Sequence, residues 1–163
     1  MRRSLSRGTG AVEAYPVTTV AFRDGIMAAD SRYCETTVGI TRGPKIFRKK
    51  VGKREVLIGI AGDDTFAAML FVDWYGTNND ALYKSITALD GDAFDILIWD
   101  GRKLFEASPR CRPCEIEESY YAIGSGALHA ITAMDCGKSA IQAVQMAARR
   151  DQHTGGRVVS QKL

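Results

Sequence analysis

The sequence predicts a layered α+β domain. Three observations carry that expectation. The run Val17-Thr-Thr-Val-Ala-Phe-Arg-Asp-Gly-Ile-Met-Ala-Ala-Asp-Ser-Arg32 sets small and apolar residues on both sides of Asp24-Gly25, the pattern of a β-hairpin. Phe94–Trp99 and Lys103–Glu106 flank Asp100-Gly101 in the same way. Strand-like runs also come in groups separated by helical blocks, which favours layers over alternating βαβ units. With 163 residues the chain is long enough for one domain with a real core.

Residues 1–17 are polar, carry glycine and end in Pro16-Val17, so they are read as a leader or propeptide-like extension, with the domain at 18–163. After the first hairpin, Cys34–Thr41 is extended and rich in Thr and Val. Lys45–Phe47 and Glu55–Ala61 read as two strands, the second a buried apolar run. Gly62-Asp63-Asp64 breaks it, and Asp63 or Asp64 is a candidate cap for a helix reaching about Tyr75. Gly76–Asn79 stops that helix, and 81–86 has room for one or two further turns only. After the second hairpin, Tyr120–Ile123 is a short strand entering Gly124-Ser125-Gly126. Helices are expected from Ala127 to about Asp135, ended by Gly137, and from a Ser139 cap to Arg150. Arg157–Val159 offers a closing strand.

Composition is that of a globular protein, 45% hydrophobic and 25% charged. No stretch approaches the roughly 20 apolar residues that cross a bilayer, so no membrane partner is expected. Arg2, Arg3 and Arg7 lack an apolar run of signal-peptide length behind them, so secretion is not expected either. The net charge of +3 is too small to imply a polyanionic partner. The basic cluster Arg42, Lys45, Arg48, Lys49, Lys50, Lys53 and Arg54 surrounds Val51-Gly52 and reads as a solvated hairpin tip, with no nucleic-acid role expected. Cys111-Arg-Pro-Cys114 has metal or redox spacing, but no second ligand pair matches it. It follows Ser108-Pro109 in an expected loop, so its cysteines are read as reduced thiols and no metal or cofactor is implied.

Thr18-Thr19 opens the first hairpin and Asp30 closes it, bringing hydroxyl and carboxylate to one end. That suits an enzyme whose nucleophile is a threonine at its own amino terminus. Five pieces in chain order then resemble one family: Thr18-Thr19 with Ala28–Arg32, Lys45-Ile46, Ala61-Gly62, Ile123–Gly126, and Asp151-Gln-His-Thr-Gly-Gly156. Together they resemble the proteasome β-subunit and bacterial HslV peptidase, N-terminal nucleophile (Ntn) hydrolases. The resemblance implies a four-layer α-β-β-α sandwich, here with the second helix of the first helical layer shortened. Short proteasome-like proteins of phages are similar in the hairpin and in that shortened helix.

By this resemblance Thr18 is the nucleophile, its freed α-amine the base, Lys45 a fixed cation beside the hydroxyl, and Asp30 the partner that orients Lys45. Ser125, Asp151 and Thr154 hold the amine, and the Gly62 N–H donates to the oxyanion. Ile60, Asp64 and Tyr33 are candidate substrate-binding positions. The resemblance further implies a peptide or unfolded-protein substrate and a homo-oligomer, with an unfoldase as a possible partner class and the cytoplasm of a bacterial host cell as the location. Between the two threonines the register decides. A two-residue Asp24-Gly25 loop sets Thr19 opposite Asp30, whereas a three-residue Arg23–Gly25 loop sets Thr18 there. Relatives have a longer hairpin, and shortening both strands equally favours Thr18, with a three-residue loop.

Two features depart from the pattern. Self-cleaving relatives have glycine before the nucleophile, where this chain has the β-branched Val17 after Pro16. Thr18 also carries an amide nitrogen until residues 1–17 are removed. The alternative expectation is therefore a catalytically silent subunit of a phage virion or other assembly that keeps its leader, located in the virion.

Overall fold

The computed structural model describes residues 18–36, 39–62, 65–89 and 93–163; the leader and the proposed helix cap at Asp63 or Asp64 lie outside them. β1 (Thr19–Arg23) and β2 (Ile26–Ala29) form the opening hairpin. Its turn residues Asp24 and Gly25 have φ of 53° and 75°, the left-handed pair of a two-residue type I′ turn. Arg23 pairs with Ile26 and Val20 with Ala29. The three-residue loop expected from the sequence is thus corrected. Asp-Gly supplies both left-handed residues, and this turn matches the twist of the flanking strands. Continuing the register sets Thr19 opposite Asp30, whose N–H donates to the Thr19 carbonyl at 3.2 Å.

β3 (Arg32–Thr36) and β4 (Gly39–Arg42) make a separate two-stranded ribbon. β5 (Ile46–Val51) and β6 (Arg54–Ala61) form a hairpin, followed by α1 (Thr65–Trp74) and α2 (Asp80–Thr87). β7 (Asp95–Trp99), β8 (Leu104–Ser108) and β9 (Cys111–Ile116) complete a five-stranded antiparallel sheet in the order β5-β6-β7-β8-β9. β10 (Tyr120–Gly124), α3 (Ala127–Asp135), α4 (Ala140–Ala147) and β11 (Val159–Lys162) end the chain. The other main sheet has the order β10-β1-β2-β11.

Apolar alternation along β6 builds the layers. Ile58 and Ile60 face α1 and α2, with Phe71, Ile86, Phe94 and Ile96 in the same core. Leu57 and Ala61 face the other sheet and meet Val20, Met27 and Leu97. Beyond that sheet, Ala21, Ala28 and Ala122 pack on Ala130, Ala143 and Val144 of α3 and α4. The result is an α-β-β-α sandwich. The second helix of the first layer is short, eight residues capped by Asn79, whose side chain accepts from the Leu82 N–H at 3.0 Å. Ser139 forms a capping box with Gln142 at the start of α4. Gly137, at φ 79°, closes α3 as the Lys138 N–H reaches the Ala133 carbonyl. No helix among the described residues is long and apolar enough to cross a membrane.

Two further expectations are corrected. The closing strand lies two residues later than its apolar run suggests, because Val159 and Ser160 are the residues that pair with Ala29 and Ala28. Cys111–Cys114 lies in β9, not in a loop, paired along β8. In the basic cluster, Lys49 is turned back to the Val72 and Asp73 carbonyls at the end of α1, at 2.5 and 2.7 Å, a favourable place for a cation.

Gly59 lets the two sheets approach. A Cβ there would lie 2.6 Å from Val20 Cγ1 and 2.9 Å from Met27 Sδ. Gly59→Val should therefore cost about 1–3 kcal/mol by overpacking, read as a lower denaturation midpoint with an unchanged m-value. An unchanged midpoint would mean the sheets are free to separate at this point.

Candidate active site

The site is assembled at one end of the sandwich, where several chain reversals converge. Asp30, just past β2, is fully buried. Its Oδ1 accepts from the Thr19 N–H at 3.0 Å and from Lys45 Nζ at 3.0 Å. Its Oδ2 accepts from the Arg32 N–H at 3.2 Å and the Gly155 N–H at 3.0 Å. Four donors therefore saturate one carboxylate, the condition under which a buried ion pair is tolerated.

Lys45 enters from the residue before β5, held by the hydrogen bond from the Ile60 N–H to its carbonyl at 2.9 Å. It is 2% exposed, and its ammonium donates to both Asp30 and Thr18 Oγ1. Burial pulls Lys45 below its ordinary pKa of 10.5; the charge and hydrogen bond of Asp30 oppose this, and the Arg32 charge adds to it. The ammonium is thus aimed at the hydroxyl of a threonine that is itself 2% exposed.

A second chain of hydrogen bonds reaches Thr18 from the opposite side. The Thr18 N–H donates to Ser125 Oγ at 3.3 Å, and Ser125 Oγ donates to Asp151 Oδ2 at 2.5 Å. Thr154 Oγ1 donates to the same carboxylate oxygen at 2.5 Å. Because its one hydrogen is committed there, the Thr19 hydroxyl is the donor in the 2.6 Å contact between Thr19 and Thr154. Burial alone would raise the Asp151 pKa. The hydrogen bonds from Ser125, Thr154 and the His153 N–H outweigh it and hold the carboxyl below its ordinary value. Asp151 is delivered by the turn that follows α4, where its N–H bonds the Ala147 carbonyl at 2.8 Å.

Gly124 makes the convergence possible. At φ 92°, a Cβ there would sit 2.1 Å from the Thr18 carbonyl oxygen and 3.1 Å from Ala61 Cβ. The end of β6 and the start of β1 thus meet across one glycine. Gly62 follows at φ 135°, where a Cβ would lie 2.5 Å from the Ala93 carbonyl oxygen. Thr18 itself has φ 152°, a conformation a β-branched L-residue rarely adopts, with a cost on the order of 1–3 kcal/mol.

Of the residues singled out in the sequence, Thr18, Asp30, Lys45, Ser125, Asp151 and Thr154 lie in one connected network, and Gly62 lies at the strand end beside it. Ile60 is 4% exposed, with its side chain in the core against α1. Asp64 and the side chain of Tyr33 lie outside the described residues. The structure adds two roles that the sequence does not announce: the Thr19 hydroxyl donates to Thr154, and the Gly155 N–H donates to Asp30. The two-residue turn register was the signal that pointed to Thr19. Among the described residues no group of three His, Cys, Asp or Glu side chains is placed to hold a metal ion.

No protein-family model matches the chain. No curated protein matches it in sequence. Solved structures do match in fold. BPH of Thiobacillus denitrificans, also solved in complex with epoxomicin, superposes at TM-score 0.65 with 20% identity over 90% of this chain and, in the free form, 96% of that one. HslV from Trypanosoma brucei does so at 0.61 and 16%, over 88% and 97%. The ancestral β-subunit Anbu from Yersinia bercovieri does so at 0.66 and 16%, over 88% and 79%. The fold is therefore the Ntn-hydrolase fold of the proteasome-like proteins.

Asp30→Asn keeps the side-chain shape but removes the anion facing Lys45. The variant should lose about 3–5 kcal/mol near neutral pH in denaturant unfolding. Without Asp30 the folded pKa of Lys45 falls further below 10.5, so the charging penalty is full below that folded value and fades as pH rises toward 10.5. The stability gap to the parent should accordingly narrow with rising pH. A gap constant with pH would mean that the charge of Lys45 is not its source.

Proposed function

We propose that this chain is a threonine-type peptidase whose nucleophile, Thr18, is exposed by removal of residues 1–17, leaving 18–163 as the working domain. The observation that carries the reading is the double hold on Thr18: Lys45 Nζ on its hydroxyl and the Ser125–Asp151 pair on its nitrogen. A free α-amine at that nitrogen has a reference pKa of about 7.7–8.0, so near neutral pH a minority, roughly a tenth to a third, is neutral and can accept a proton. The amine takes the Thr18 hydroxyl proton while the Lys45 cation stabilises developing negative charge on Oγ1. Oγ1 then attacks the scissile carbonyl, and the resulting oxyanion faces the Gly62 N–H. Return of the proton to the leaving amine breaks the peptide bond and leaves an ester on Thr18. Water, activated by the same amine, hydrolyses that ester and restores the hydroxyl.

The strained φ of Thr18 supports scission at the preceding bond, because cleavage removes the constraint that defines that angle. The substrate class this reading implies is an unfolded protein or peptide. The proposal extends to a homo-oligomer, an unfoldase partner and a cytoplasmic location, which the resemblance to the proteasome-like peptidases implies. A second reading, a silent assembly or virion subunit that keeps its leader, is favoured by Val17, whose branched side chain resists the backbone freedom that self-cleavage needs.

A chain beginning at Thr18 should hydrolyse short fluorogenic peptides, with kcat/KM rising through about pH 7–8 as the amine deprotonates. Thr18→Ala should abolish turnover, and Lys45→Met should reduce it by at least about 100-fold, as losing a stabilising charge does elsewhere. On the same reading a chain beginning at Thr18 should retain epoxomicin, the ligand of the BPH complex, and Thr18→Ala should not. Equal turnover with and without the Thr18 hydroxyl would remove it from the mechanism. A folded but inert Thr18 chain would favour the assembly subunit.

A further inference from the structure

One motif stands outside that network. In a regular strand, residues i and i+3 point to opposite faces. Between Glu106 and Ser108 β8 advances two residues, whereas β9 advances three, from Cys111 to Cys114, opposite them. The extra residue makes a bulge, and it turns the two thiols to the same side, with Sγ atoms 3.3 Å apart. Both cysteines are exposed. β9 is the last strand of its sheet, so a reagent reaches them without displacing a neighbouring strand.

The residues between them are held. Arg112 lies with its guanidinium 4.4 Å from the centre of the Tyr83 ring on α2, and Pro113 has a fixed φ. Across the ladder from Cys114 stands Glu106, whose carboxylate accepts from the Tyr121 hydroxyl at 3.1 Å. The thiols are thus neighbours because the backbone is locally committed to a bulge. The sulfurs must approach by a little over an ångström to reach the S–S distance of about 2.05 Å. The Cys111 thiol is pushed up by its hydrogen bond with Cys114, then by burial and by the Cys114 and Glu106 charges, as expected for two sulfurs sharing one proton-rich site.

We propose that Cys111 and Cys114 form a dithiol redox site on β9 that closes to an intrastrand disulfide by exchange with a small-molecule disulfide of the glutathione class. One thiolate attacks a sulfur of oxidised glutathione, releasing one glutathione and forming a mixed disulfide. The second thiolate attacks the protein sulfur of that mixed disulfide and releases the second glutathione. The pair loses two protons and two electrons, and the oxidant is reduced to two thiols. The site lies at the strand end of β9 that follows Ser108, and β8 and β7 lead from there to Asp95, the partner of Ala61 beside Gly62. It therefore lies at the same end of the sheet as Gly62, three strands away from β6.

The test uses the full chain carrying Cys34→Ser and Cys136→Ser, equilibrated with oxidised and reduced glutathione at graded ratios and then alkylated. Both remaining thiols should become unreactive together, in one two-electron transition reversed by dithiothreitol, and peptide mapping should recover a Cys111–Cys114 cross-link. Adding Cys111→Ser or Cys114→Ser should leave a single glutathione adduct instead. Persistent free thiols at an oxidising ratio, two independent adducts, or a disulfide between chains would each overturn the proposal. Should the double variant fail to fold, the same mapping on the parent chain decides, since a cross-link from Cys111 or Cys114 to any other cysteine contradicts it.

Discussion

The Asp30 carboxylate is the constraint on which the rest of the site depends. It is wholly buried, and its four donors come from β1, from the first residue of β3, from the residue before β5 and from the loop that leads to β11. Removing such a group from water is expensive, and only saturation by donors offsets that cost. The same bonds fix where β1 begins, where Lys45 stands and how the 151–156 loop returns. Glycines serve the same end by letting backbone approach backbone. Gly124 admits the Thr18 carbonyl, and Gly155 admits the Arg32 guanidinium, whose Nη2 would lie 2.6 Å from a Cβ there.

The second constraint is directional. Asp151 is a carboxylate held ionised by three donors, and two of these are hydroxyls that relay outward to Thr18 and Thr19. The hydrogen-bond order Thr19 to Thr154 to Asp151, and Thr18 nitrogen to Ser125 to Asp151, leaves little freedom in where each proton sits. Lys45 acts from the other side as a cation whose burial keeps water from screening it. The Thr18 hydroxyl thus lies beside a positive charge and its nitrogen is held by Ser125, the arrangement on which the proposed function rests.

Much of this was legible in the sequence, and the failures have physical causes. The two Asp-Gly turns, the buried run of β6 and the caps at Ser139 and Gly137 are local signals, and each element formed where they lie. The register of the first hairpin follows the local turn chemistry of Asp24-Gly25 and not the hairpin length of the relatives. β9 has the sequence character of a loop because it is an edge strand with few buried positions. Without a buried face it has no period-two pattern, and Pro113 and the bulge disguise it further. β11 was placed early because its apolar residues precede its paired ones. The sequence offers Thr19 as the residue opposite Asp30 in the two-residue register, but only the contact with Thr154 makes its hydroxyl part of the relay.

The proposed peptidase chemistry requires a free amine on Thr18. The most direct test is the amino-terminal residue of the protein isolated from the cells that make it, read by intact mass and terminal sequencing. The peptidase account predicts a chain that starts at Thr18. A mature, assembled protein in which Val17 is still bonded to Thr18 would contradict it.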